Sequence, residues 1–106
     1  MKSLEFVGSS LDDHKEFPAG SRRAAGFELG FVRRGLAPSD WKPMKEVGAG
    51  VREIRIHVLG EWRVLYVAKF AESVYVLHAV QKKTQKTTRE DIGLACARYR
   101  QIGGRR

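Results

Sequence analysis

The stretch Val74–Arg89 reads VYVLHAVQKKTQKTTR, an apolar strand pattern that runs directly into nine residues without one apolar side chain. Lys82, Lys83, Lys86 and Arg89 supply charge there, and Gln81, Thr84, Gln85, Thr87 and Thr88 supply neutral hydrogen bonders. Cations beside short donors are what grip a phosphate. A solvated loop before a helix has the same composition, so the rest of the chain must decide. Arg55 and Arg63 fall on adjoining strand patterns joined by the tight turn Gly60-Glu61, which lets their side chains converge on one face. A surface pair balanced by Glu53 and Glu61 is the other reading of the same residues. His57 shares the parity of Arg55. Arg52 opens the same strand. Arg63 and Lys83 are expected to be surface cations whose removal costs little stability.

The wider charge balance favours an acidic partner. The chain carries +8 over 106 residues, and eight cations against two anions in residues 81–106 account for +6 of it. Nucleic acid or an acidic protein would be drawn to such a field. Cys96 is the one cysteine, which leaves no internal disulfide and suits a reducing compartment; its Ala-rich surroundings read as a small buried residue. No apolar run reaches membrane-spanning length, and Glu5, Asp12 and Asp13 stand where a signal peptide needs apolar residues. A cytoplasmic protein is expected. Three scattered histidines and one cysteine offer no ligand set, so neither a metal nor another cofactor is expected. Gly48-Ala49-Gly50 is too short for a nucleotide loop and leads into a strand.

The elements that must position these residues follow from hydrophobic period. Leu4 and Phe6 make a short strand ended by Gly8. Ser9 or Ser10 can cap a helix through Glu16, and Pro18 suits the first turn of a second helix. In that helix Ala24, Phe27 and Phe31, with Leu29 and Val32, recur at helical spacing, and Gly35 is a good residue just past the end. Ala37–Pro43 reads as a connector. The period then changes to two: Val51–Leu59, Trp62–Phe70 and Val74–Val80 form a meander. Thr87 or Thr88 caps a last helix, with Ile92, Ala95, Cys96, Tyr99 and Ile102 on one stripe. Gly103-Gly104 ends it, leaving 103–106 as a flexible tail of a single domain spanning 1–106.

The segments KPMKEVGAGVREIRI (Lys42–Ile56), WRVLYV (Trp62–Val67) and VYVLHAVQKKTQKTTREDIGLACARY (Val74–Tyr99) resemble the RelE/HigB superfamily of toxins from type II toxin–antitoxin systems. The resemblance is to the phage-derived branch and covers about half the chain. It implies an α+β, microbial-ribonuclease-like domain: N-terminal strand and helix pair, antiparallel meander, C-terminal helix. It also implies metal-independent cleavage of messenger RNA on the ribosome, in which a base takes the 2′-hydroxyl proton, cations hold the phosphorane and an acid protonates the leaving oxygen. Arg55 and Arg63 would hold the scissile phosphate. Lys82 or Lys83, crowded by those arginines, would be a base of lowered pKa. His57 is the acid candidate, and Lys86, Arg89 and Arg52 would bind RNA. The Tyr or His that relatives often use near the end of the sheet has no clear counterpart. Tyr99 lies on the apolar stripe, and His78 shares the parity of Val74 and Val76, which reads as a core histidine bonded to backbone.

The implied partners are the ribosome, messenger RNA and a helix-turn-helix antitoxin in a complex of two copies each. The antitoxin would cover either the cationic loop or the N-terminal helices, where apolar residues exceed what one sheet face can bury. Two other functions fit the same chain: a gyrase-directed toxin of the ParE kind without nuclease chemistry, and a non-enzymatic, phage-derived nucleic-acid-binding accessory protein.

Overall fold

A computed structural model describes residues 1–105. Five strands, β1 (Ser3–Phe6), β2 (Trp41–Pro43), β3 (Val51–Ile56), β4 (Trp62–Val67) and β5 (Ser73–Gln81), form one sheet in the order β1-β5-β4-β3-β2. β1 runs parallel to β5, and the other neighbours are antiparallel. Helix α1 (Ser10–Lys15) packs against β5, while α2 (Ala19–Arg33) covers one face and α3 (Arg89–Arg105) the other. The α+β fold and its order of elements are as expected. Among the described residues no helix is long and apolar enough to cross a membrane.

The sheet has two covered faces, so it needs two cores. Phe17, Ala25, Leu29 and Val32 meet Ile54, Ile56, Trp62, Val64, Tyr66, Val74 and Val76 on the α2 side. Met44, Val47, Val51, Leu65, Val67, Tyr75 and Leu77 meet Ala95 and Ile102 on the α3 side. β4 is central and buried along its whole length, which is why WRVLYV reads as an unbroken apolar run around one arginine. Each fully buried Leu or Ile in these layers contributes about 1.5–3 kcal/mol.

Local chemistry sets the helix ends. Gly35 has φ 83°, and the N–H groups of Gly35 and Leu36 return to Val32 and Phe31, closing α2 with a left-handed cap. Thr88 caps α3, its hydroxyl accepting from the Asp91 N–H at 3.2 Å and donating to the Asp91 carboxylate at 2.8 Å. Gly48 is required where Tyr99 crosses it, because a Cβ there would stand 2.6 Å from the ring.

Several expectations need correction. Trp41–Pro43 is an edge strand rather than connector, since its backbone pairs with Arg52–Ile54. The buried face of α2 is Ser21, Ala25, Glu28, Leu29 and Val32, whereas Phe27 is 64 % exposed and packs edge-on against Phe31. Ser9 makes no side-chain cap; the hydroxyl of Ser10 donates instead to the Val76 carbonyl. α3 passes through Gly103 and Gly104 to Arg105, with Ile102 anchoring its last turns in the core; Arg106 lies outside the described residues. Cys96 is half-buried, its thiol donating to the carbonyls of Glu46 and Val47.

Candidate functional site

At the end of the sheet where β4 begins and β5 finishes, Arg55 and Arg63 stand directly opposite each other on the α3 face. Like charges in that register repel. The carboxylate of Glu53 lies between them, fully buried, with Oε1 3.9 Å from Arg55 Nε, 3.8 Å from Arg63 Nε and 4.0 Å from Lys42 Nζ. One buried anion therefore serves three cations and leaves the cluster positive. A buried carboxylate is tolerated only when paired in this way.

The two arginines have different environments. Arg55 is about one third exposed and also faces Asp40 Oδ1 at 4.0 Å. Arg63 is 3 % exposed, contrary to the surface position expected for it. Its guanidinium donates to Thr87 Oγ1 at 2.9 Å, to the Thr84 carbonyl at 2.8 Å and to the Gln85 carbonyl at 2.7 Å. Thr87 in turn donates to Glu53 Oε2 at 2.5 Å. These bonds fasten the segment after β5 onto the sheet. The five N–H donors of guanidinium suit such a role, because they can satisfy several loop acceptors at once.

That fastening positions the cationic segment. The Lys82 N–H bonds the Glu61 carbonyl at 2.7 Å, which keeps Lys82 beside the start of β4. Lys82 is half-buried, while Lys83, Lys86 and Arg89 are exposed. The Thr84 hydroxyl closes the turn on the Lys86 carbonyl. The result is a ledge of cations at this end of the sheet, with Arg63 as its fixing point.

His57 lies just past β3, and its ring spans two carboxylates. Nδ1 meets Glu61 at 2.7 Å and Nε2 meets Asp40 at 2.7 Å. Asp40 first, then Glu61, raise its pKa by hydrogen bonding to the charged ring. An imidazolium held on both nitrogens is a bridge between the chain before β2 and the β3–β4 turn. To act as an acid it must give up one of those partners. Arg52 is elsewhere: it is on the α2 face, its guanidinium 4.0 Å above the Trp41 ring. It cannot join Arg55 and Arg63.

His78 is also displaced from its expected setting. A bulge in β5 pairs Leu65 with His78 and Tyr66 with Val76, so the ring turns to the α3 face. There Nε2 meets Asp91 at 2.8 Å, and Nδ1 faces Arg98 at 3.4 Å. Arg98, 5 % exposed, donates to the Leu77 carbonyl, Asp13 and the Ser9 hydroxyl. A core histidine was expected, but its partner is a carboxylate rather than backbone. Tyr99 packs at the edge of the α3 core and donates to the Ala49 carbonyl at 2.9 Å.

Glu53, Thr87, Asp40 and Glu61 organise this region; the sequence offered Glu53 and Glu61 only as surface balance for the arginines and Thr87 only as a loop hydrogen bonder or helix cap, and gave Asp40 no role. Glu53 did carry a signal, since an acid alternating with Arg55 in an otherwise apolar strand must bury or pair. The pairing of Thr87 with Arg63 and Glu53, and of Asp40 with His57, carried none, because these partners are distant in sequence.

The family model described as Phage derived protein Gp49-like (DUF891) matches residues 12–100. The chain belongs to that family. The matched span runs from α1 into α3, so the Gp49-like region includes both arginines, the cationic ledge and the His78–Arg98 cluster. No curated protein matches the Gp49-like chain.

Proposed function

We propose that this Gp49-like protein is a toxin of the RelE/HigB kind that cleaves messenger RNA on the ribosome. The observation that carries the reading is the pinned ledge: Arg63, paired across the sheet with Arg55, holds Thr84, Gln85 and Thr87, and with them the segment that carries Lys82, Lys83 and Lys86. Arg55 and the lysines would hold the scissile phosphate and its developing charge. Lys82, half-buried where the segment leaves β5, would serve as the base. Arg63 acts by positioning. His57 would donate the proton only by leaving Asp40 or Glu61. Without a free acid–base pair, cleavage should depend on the ribosome to align the RNA. A helix-turn-helix antitoxin would restrain the protein, and exposed Phe27 on α2, which shares a hollow with Asp40, Arg55 and His57, gives it an apolar contact at the border of the site.

The same site supports a second reading. Glu53 and Asp40 already flank Arg55, and Arg63 spends three hydrogen bonds on the loop, which suits a toxin that binds a target without nuclease chemistry. Expression without a partner, followed by mapping of messenger RNA ends, tests the choice. Growth arrest with new ends inside coding regions, both abolished by Lys83→Ala and Arg55→Ala, is expected. Arrest with intact messages would favour the second reading, and wild-type arrest in both variants would remove the site assignment.

A further inference from the structure

At the opposite end of the sheet, and on its other face, a cavity of about 400 Å³ opens beneath the C-terminal end of α2. Pockets of that size take small organic ligands. Val32, Leu36 and Ala68 give it apolar walls, Lys2, Arg52 and Tyr66 give it polar groups, and no acidic residue lines it. We propose that this cavity binds a small molecule bearing a phosphate monoester, held by Lys2 and Arg52 with the Tyr66 hydroxyl as an added donor.

Three observations carry this. The Arg52 guanidinium carbon lies 4.0 Å from the centre of the Trp41 ring, and Arg52 makes no ion pair with a carboxylate among the described residues. A cation held over an aromatic face keeps its N–H groups for other acceptors. Lys2 spends one N–H on the Ala68 carbonyl, and an ammonium has three. Tyr66, which lines the cavity, is 1 % exposed, and its hydroxyl, approached by the donor Arg52, finds no acceptor for its own proton. Buried hydroxyl donors without an acceptor are uncommon and point to a missing one. Burial raises the Tyr66 pKa while Arg52 opposes the shift, so the phenol stays a donor with a cation beside it.

The end of α2 would disfavour an anion if its carbonyls were free. The Arg33 carbonyl is instead taken by the Lys2 N–H at 3.0 Å. Lys2, Arg33 and Arg34 also border the neighbouring surface hollow, which extends the positive field to the mouth. Two cationic donors and a neutral hydroxyl suit a phosphate dianion, and the apolar walls suit an organic group attached to it.

Titration of the intact protein with adenosine 5′-monophosphate, inorganic phosphate and adenosine, read by amide NMR shifts, tests the site. The monophosphate should shift Gly35, Gly50 and Ala68 saturably, inorganic phosphate should do so more weakly, and adenosine should not. Arg52→Gln and, separately, Lys2→Gln should each weaken binding about tenfold, as expected for a lost charge-assisted bond. Tyr66→Phe should weaken it less. Shifts confined to residues 81–89, equal binding of adenosine, or unchanged affinity in both cation variants would overturn the proposal.

Discussion

Arg98 and Arg63 are both buried, yet they join different kinds of element. Arg98 ties α3 to α1 and β5 through Asp13, Ser9, His78 and the Leu77 carbonyl. Its partners sit on α1, β5 and the turn that opens α1, so its bonds hold the fold together. Arg63 ties β4 to a loop, and two of its acceptors are loop carbonyls. Its bonds decide where Lys82, Lys83 and Lys86 stand. The same residue type thus builds the scaffold in one place and presents a working surface in the other.

Breaking each cluster should expose that difference. Arg98→Ala leaves Asp13 and His78 without their shared cation and should cost about 3–5 kcal/mol of global stability, read by urea denaturation. Arg63→Ala should cost a comparable amount less whatever the loop recovers by freeing itself, so a smaller loss, about 2–3 kcal/mol, is expected. Glu53→Gln removes the anion between three cations and should cost roughly 1–3 kcal/mol, with a larger loss at low salt. Lys83→Ala should stay within about 0.5 kcal/mol of the parent while losing growth arrest. A large stability loss in Lys83→Ala would mean that the ledge is structural.

The smallest effect belongs to His57. Its folded pKa is raised above the ordinary 6.5, so its bridge is complete below that value and is lost as pH rises through the folded pKa. The melting temperature of the parent minus that of His57→Gln should therefore be positive in mild acid and shrink toward alkaline pH. A difference that grows with pH would contradict the bridge between Asp40 and Glu61.

The framework was legible because its signals are local. Period-two runs marked β3, β4 and β5, Gly35 marked the end of α2, and Thr88 with Asp91 marked the start of α3. What escaped depended on pairing across the sheet. β2 is three residues long and ends in proline, too short for a period to register. The bulge that turns His78 to the other face appears only in register with β4. Phe27 keeps helical spacing with buried neighbours, but the seam of α2 against the sheet passes through Glu28 and Leu29 instead. Within the site, the parity of Arg55 and Arg63 was readable, whereas the burial of Arg63 was not. Its acceptors are carbonyls of a loop whose path no residue type announces.

Amide hydrogen exchange of residues 82–88 in Arg63→Gln and Arg98→Gln tests the pinning role most directly. Faster exchange confined to that loop in Arg63→Gln, and spread over α1 and α3 but not concentrated in the loop in Arg98→Gln, is the expected result. Loop exchange unchanged by Arg63→Gln would contradict the account.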